Sequence, residues 1–275
     1  MFEALPVSEE NFRILVFFGV LGLMALIELL SPHRRQEIPR VIRWTNNFAL
    51  IAIDTLLVRS VFPATAVSLA AMAAQNGIGV FHLLDMPVIL AGLIGFFLLD
   101  LAIYGQHVLF HRVPFLWRLH AVHHADTECD ATTALRFHPL EILLSMGIKI
   151  ALVLALGIPP LAVLLFEVVL NAASLFNHAN FAIPRRLDGI LRLFVVTPDM
   201  HRIHHSVRRE ETDSNFGFSV TWWDRLFGTY RSEPSGGRNA IRIGLEENRT
   251  LRDHWIDRLL LQPLRGSRKS AKPGN

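Results

Sequence analysis

The 275-residue chain has a single cysteine, Cys129. One thiol closes no internal disulfide and builds no thiolate metal site by itself, so Cys129 reads as an ordinary free thiol in a reducing compartment. The sequence contains no Gly-x-Gly-x-x-Gly fingerprint, and one cysteine cannot hold an iron–sulfur cluster. Charge is scarce as well: 19% of residues are charged, below the share usual in soluble domains, and the net charge is only +3. With no basic stripe and no nucleic-acid motif, nucleic acid is excluded as a partner. The opening segment also lacks the basic flank and small-residue cleavage site of a signal peptide, carrying Glu3, Glu9 and Glu10 instead. It is expected to be a retained membrane helix.

Apolar residues are plentiful, at 51% of the chain. They gather in runs long enough to cross a bilayer. The first is Phe12 to Leu30, with Arg13 and Glu28 near its ends. The second, Phe48 to Ala74, is broken by Asp54, Arg59 and Pro63. Those two charged side chains are expected at the headgroup level, an Asp54–Arg59 ion pair being the alternative. The third run, Met86 to Tyr104, carries Asp100 near its end. Leu140 to Leu156 and Leu161 to Phe176 are split by Gly157-Ile158-Pro159-Pro160, a tight-turn signal, and form a membrane hairpin over 140–176. The expected fold is therefore all-α: an integral-membrane helical bundle of four to five membrane helices with a helical cap. Residues 1–99 form its N-terminal transmembrane part, 100–232 the histidine-bearing part, and 233–275 a C-terminal segment whose end, from Pro263, reads as a disordered basic tail suited to anionic lipid.

Histidine is the residue that stands out. The chain holds His107-x-x-x-His111, His120-x-x-His123-His124, His138-Pro139, His178 within Asn177-His178-Ala179-Asn180, and His201-x-x-His204-His205. Helical positions i, i+3 and i+4 share one face, so each triplet is expected to aim three imidazoles at one volume. Ten imidazoles are too many for one ion and suit two. His138 and His178 are read as ligands, with an orienting role as the alternative. His33, His82 and His254 fall outside the pattern and are expected at the surface or interface. Asp100, two turns before His107, either orients a ligand imidazole or sits at headgroup depth. Tyr104 and Trp117 are assigned to the interfacial aromatic belt.

Positive loops stay in the cytoplasm. Arg34, Arg35, Arg40 and Arg43 therefore place the first loop inside, while the loop from Gln75 to Asp85, without Lys or Arg, is external. Followed through the remaining runs, this topology delivers all ten histidines to the cytoplasmic face, although the charge rule takes no account of histidine. A zinc hydrolase needs about three protein ligands; two irons with open positions suit oxygen activation better, with zinc able to substitute in purified protein. Such a centre would oxidise an unactivated C–H bond with O2, using electrons from a separate reductase or small redox protein. A membrane metal carrier or a bis-histidine haem electron-transfer protein is the rival. A carrier should hold its ligands near the bilayer midplane, and a haem protein leaves the triplets unexplained.

Together the histidine boxes, His138-Pro139-Leu140-Glu141, and the segment Asp213-Ser-Asn215-Phe-Gly217 followed by Trp223-Asp224-Arg225-Leu-Phe227-Gly228-Thr-Tyr230 resemble the fatty acid hydroxylase / sterol desaturase superfamily. The resemblance covers roughly 100–230. It implies a membrane-bound, non-haem di-iron enzyme that hydroxylates or desaturates a sterol, fatty acyl chain, alkyl-glycerol ether or carotenoid, the box histidines carrying the metals. The Asp213–Tyr230 segment is expected to be structural, with Gly217 and Gly228 in tight turns and Trp223 anchoring the cap on the membrane.

Overall fold

The computed structural model describes residues 8–237 and 240–265. Among them the chain is all-α, with three isolated β-bridges and no strand. Five helical segments are long and apolar enough to cross a membrane. Helix α1 (Glu9–Leu30) starts where the Ser8 hydroxyl accepts from the Asn11 amide, and Glu9 and Glu10 occupy its first turn. Its 22 residues span ~33 Å at the helical rise. Leu15 and Leu30 are 66% and 77% exposed, as lipid-facing side chains are.

The second span is broken. Helix α2 (Arg40–Val61) ends before Pro63, and α3 (Ala66–Gln75) resumes behind the Thr65 cap. Helix α4 (Val80–Leu83) then turns the chain into α5 (Val88–Arg112). At that turn Gly79, at φ +109°, lies against the Gly157 backbone, where an added Cβ would come within 2.2 Å of the Gly157 nitrogen. Helix α5 is longer than its apolar run and carries Asp100, His107 and His111 on one continuous helix.

Helices α7 (Pro139–Leu156) and α8 (Pro160–His178) form the hairpin expected from the Gly-Ile-Pro-Pro break, with Gly157 left-handed at φ 71°. Helix α8 packs against α1, α3 and α5. One apolar cluster joins Val67 of α3, Leu99 of α5, Val153 of α7 and Phe166 of α8.

The cap is made of α6 (Pro114–His124), a 3-10 turn at Ala131–Leu135, α9 (Arg185–Leu191), α10 (Pro198–His204), α11 (Arg209–Thr212), α12 (Trp222–Leu226) and α13 (Ile256–Arg265). Its attachment to the bundle is polar. Glu28, the charge interrupting the first apolar run, is fully buried and accepts the Ala131 and Asn180 amides, both at 2.8 Å. Arg43, read in the sequence as a loop arginine, is fully buried in α2. It binds both oxygens of Asp126, at 2.9 and 2.7 Å, and Asp130 at 2.5 Å.

Three expectations change here. Asp54 is buried at 5% exposure and makes no pair with Arg59, which instead meets Glu10 at 2.8 Å. His254 is buried rather than superficial, its Nδ1 3.1 Å from Arg136. Tyr104 is also buried, sharing a hydrogen bond with Thr229 and stacking on Phe227. The tail assigned from Pro263 begins inside α13, and its residues from 266 lie outside those described.

Candidate metal centre

Nine buried histidines converge at the cap end of the bundle in two groups. The first contains His107, His111, His120, His124 and His204; the second contains His123, His178, His201 and His205. Within each group the donor atoms lie within 4.8 Å of one another. Each triplet thus divides instead of filling one volume. On α6, His120 and His124, four residues apart, share the first group while His123 turns to the second. At α10, His201 and His205 share the second group while His204 crosses to the first. The two helices exchange histidines reciprocally, which ties both groups to both helices.

The rings are oriented from behind. His107 Nδ1 donates to the Phe216 carbonyl at 2.7 Å, His178 Nδ1 to the Ser174 carbonyl at 2.7 Å, and His204 Nδ1 to the Ser214 carbonyl at 2.8 Å. His120 Nδ1 donates to Glu141 Oε1 at 2.7 Å, and His111 Nδ1 lies 3.4 Å from Asp213. A neutral imidazole has one proton, so a ring committed at Nδ1 presents a bare lone pair at Nε2. In the first group two such lone pairs face each other, and in the second the Nε2 atoms of three further rings crowd the lone pair of His178. His107 Nε2 is 3.0 Å from His120 Nε2, and His178 Nε2 is 3.1, 3.0 and 3.2 Å from Nε2 of His123, His201 and His205.

Lone pairs held so close repel unless a cation lies between them. Two donors at right angles around an ion at ~2.1 Å are ~3.0 Å apart, which is the spacing found. Nε2 of His111, His124 and His204 is buried without any hydrogen-bond partner. Burial holds His120 down at about 3, and burial together with neighbouring imidazoles holds His123, His124, His201, His204 and His205 well below the usual histidine range. They are therefore neutral, the form that binds metal. The donor set fits two metal ions.

His138 stands apart from both groups. Its Nδ1 accepts the Leu140 amide as the cap of α7, and its Nε2 donates to the Leu260 carbonyl at 3.3 Å. Its place before Pro139 commits the ring to starting a helix. Asp100 touches no histidine ring; it accepts the Trp223 indole N–H at 2.8 Å and fastens α12 to α5. Trp223 therefore anchors the cap on the bundle. Trp117 lies with its ring centre 5.0 Å from that of His111.

Glu141 is the carboxylate that orients a ring, and it was visible as the last residue of His-Pro-Leu-Glu. The backbone acceptors of Ser214 and Phe216 had no sequence signal beyond the Asp-Ser-Asn-Phe-Gly motif. That motif is pinned in turn: Asp224 accepts the Phe216 and Gly217 amides at 2.8 and 2.9 Å, and Asn215, at φ 54°, bonds the Met200 and Arg231 carbonyls. Gly217 is needed for space, since a Cβ there would lie 2.7 Å from the Val220 oxygen; Gly228 is needed for its φ of +71°.

A cavity of about 470 Å³ opens from this centre into the bundle. His107, His120 and Glu141 line its metal end, Ile103, Phe110 and Leu175 its apolar wall, and Asp54, Lys149 and Glu167 its farther reach.

The sequence profile described as fatty acid hydroxylase matches residues 92–229, half of the chain. Over 238 residues the chain is 27% identical to ornithine lipid hydroxylase OlsE of Rhizobium tropici, covering 83% of this chain and 70% of that protein. It is 33% identical over 134 residues to the alkylglycerol monooxygenase of Homo sapiens, covering 49% of this chain but only 29% of the relative. It is 30% identical over 148 residues to the cholesterol 25-hydroxylase of Rattus norvegicus, covering 53% of this chain and 48% of the relative. No solved structure gives a significant match. Its histidine boxes, its helical membrane bundle and this match together place the chain in the fatty acid hydroxylase family.

Proposed function

We propose that the protein is a membrane-bound oxidoreductase that uses O2 to hydroxylate a C–H bond of a lipid. The observation that carries this reading is the opening of a largely apolar cavity onto His107 and His120 of the first of two convergent histidine groups. The hydroxylase and monooxygenase names of its relatives support the same chemistry.

His107, His111, His120, His124 and His204 would hold one iron, and His123, His178, His201 and His205 the other. The pair, when bound, supplies the redox chemistry that splits O2 and oxidises an unactivated carbon. The chain's own residues fix ring orientations and seat the substrate: Glu141 and the carbonyls of Ser174, Ser214 and Phe216 accept from Nδ1 of His120, His178, His204 and His107, Asp213 lies beside Nδ1 of His111, and the apolar wall of the cavity would receive the substrate. One oxygen atom goes to the substrate and the other to water, so each turnover needs two electrons and two protons beyond those of the C–H bond. A separate reductase or small redox protein would supply the electrons. The arginines of the loop between α1 and α2 would put the centre on the cytoplasmic side.

The test is oxidation under 18O2 in membranes with and without the protein, read by lipid mass spectrometry alongside metal analysis of the purified chain. A lipid gaining one labelled oxygen, with iron bound and no haem absorbance, is the expected result. A haem spectrum, or an unchanged lipid profile with iron fully bound, overturns it.

A further inference from the structure

Asp54 is the one carboxylate of the cavity that the protein leaves without a visible task. It follows Arg43, Asn47 and Leu50 along the buried face of α2, is only 5% exposed, and lines the cavity. Its Oδ1 is buried with no hydrogen-bond partner. A buried carboxyl oxygen without a partner is strongly disfavoured, which marks it as waiting for a ligand.

The cations around the same cavity are already committed. Arg13 of α1 and Lys149 of α7 converge on Glu167 of α8, and Arg59 meets Glu10. An anionic lipid group would have to break these pairs. A hydrogen-bond donor would not. Glu141 points the same way: Oε1 takes the His120 proton, while Oε2 is buried and unpartnered. The cavity thus offers free acceptors and no free cation among the described residues that line it. Asp54 lies seven residues beyond Asn47, which reaches Thr132 at 3.1 Å at the base of the cap, or ~10 Å farther along the helix.

We propose that Asp54 receives a hydrogen-bond-donating group of the lipid substrate, a hydroxyl or an ammonium, and so fixes which carbon lies at the metals. The proposal rests on the lipid hydroxylase reading and adds to it the polar chemistry of the substrate and the residue that measures its position. Selectivity follows from the physics. A site built around a buried acceptor rejects an analogue without the donor, because binding that analogue leaves the acceptor unpaired.

The test uses the purified, iron-loaded protein and a photoactivatable hexadecan-1-ol whose diazirine sits at the methyl end. Hexadecan-1-ol, hexadecylamine and hexadecyl methyl ether are the competitors. Labelling near His107 and Phe110 is expected, with alcohol or amine competing at least tenfold better than the ether, as for loss of one hydrogen bond to a carboxylate. Stronger competition by the amine assigns an ammonium; by the alcohol, a hydroxyl. Asp54→Leu should abolish that preference at unchanged iron content, and Asp54→Asn should keep the alcohol while losing the amine. Equal competition by the ether in the wild-type protein, or an unchanged preference in Asp54→Leu, overturns the receptor but leaves the lipid reading standing. Failure of every probe to label the iron-loaded protein overturns both.

Discussion

Glu141 accepts a hydrogen bond from His120 Nδ1 at 2.7 Å and is also a lining residue of the cavity. It sits in the first turn of α7, started by His138 and Pro139, so the helix that forms one wall of the cavity also sets the angle of a ring in the first histidine group. Glu141→Ala should lower metal affinity by roughly 10- to 100-fold, the usual effect of removing such a support. Glu141→Gln, which can still accept through its carbonyl oxygen, should recover part of that loss. Titration against a competing chelator measures both, and wild-type affinity in Glu141→Ala would show that His120 is held by other contacts.

The division of the triplets gives a second prediction. His204→Ala removes a donor from the five-histidine group and His201→Ala one from the four-histidine group, so each should weaken a different ion. His138→Ala should leave metal content intact and cost about 1 kcal/mol of stability through loss of the α7 cap. Metal per chain and the melting temperature separate the cases. Metal loss in His138→Ala equal to that in His204→Ala would place His138 back among the ligands.

Much of this was legible in the sequence for identifiable physical reasons. Apolar runs of membrane length and the Gly157–Pro160 break locate the α5, α7 and α8 spans, because length and turn chemistry are local properties. The histidine spacing revealed a metal-binding constellation. It did not reveal the division of each triplet, because i+4 lies about 40° from i around a helix and i+3 about 60° to the other side, and which group each side meets depends on what packs there. Asp54 looked like an interfacial charge and Arg43 like a loop arginine, since their partners, or lack of them, depend on residues more than eighty positions away or on a cavity. His254 was unremarkable for the same reason: Arg136 reaches it from 118 positions earlier.

His254 should make the protein acid-labile. Burial first, and then the Arg136 guanidinium, bring its imidazole down to about 4, whereas an unfolded histidine titrates near ~6.5. Between those values the unfolded chain binds the proton more readily, so stability rises with pH across the window and is lost on acidification. The contribution is on the order of 3 kcal/mol at neutral pH. Melting temperatures of the wild type and His254→Gln in detergent, taken from pH 4 to 7, should show a shallower slope in the variant. Parallel curves would mean that His254 is protonated equally in both states.

Arg43 is the test of how the cap is joined to the bundle. It is fully buried between Asp126 and Asp130, whose carboxyls burial alone would raise but which Arg43 holds below the usual carboxylate range. Those two residues follow α6 directly, and Thr133 also donates to Asp126 at 2.7 Å. Arg43→Leu removes the cation hydrogen-bonded to both buried acids, for which the expected cost is about 3–5 kcal/mol. Because α6 carries three of the nine histidines, the loss should appear both as a lower melting temperature and as weaker metal retention. The triple replacement Arg43→Leu, Asp126→Leu and Asp130→Leu removes the unpaired charges and should recover much of the stability, since a buried ion pair contributes little beyond an apolar substitute. A triple variant no more stable than Arg43→Leu would show that Asp126 and Asp130 are needed for the hydrogen bonds they make to Thr132, Thr133 and Trp44, and that Arg43 only accompanies them.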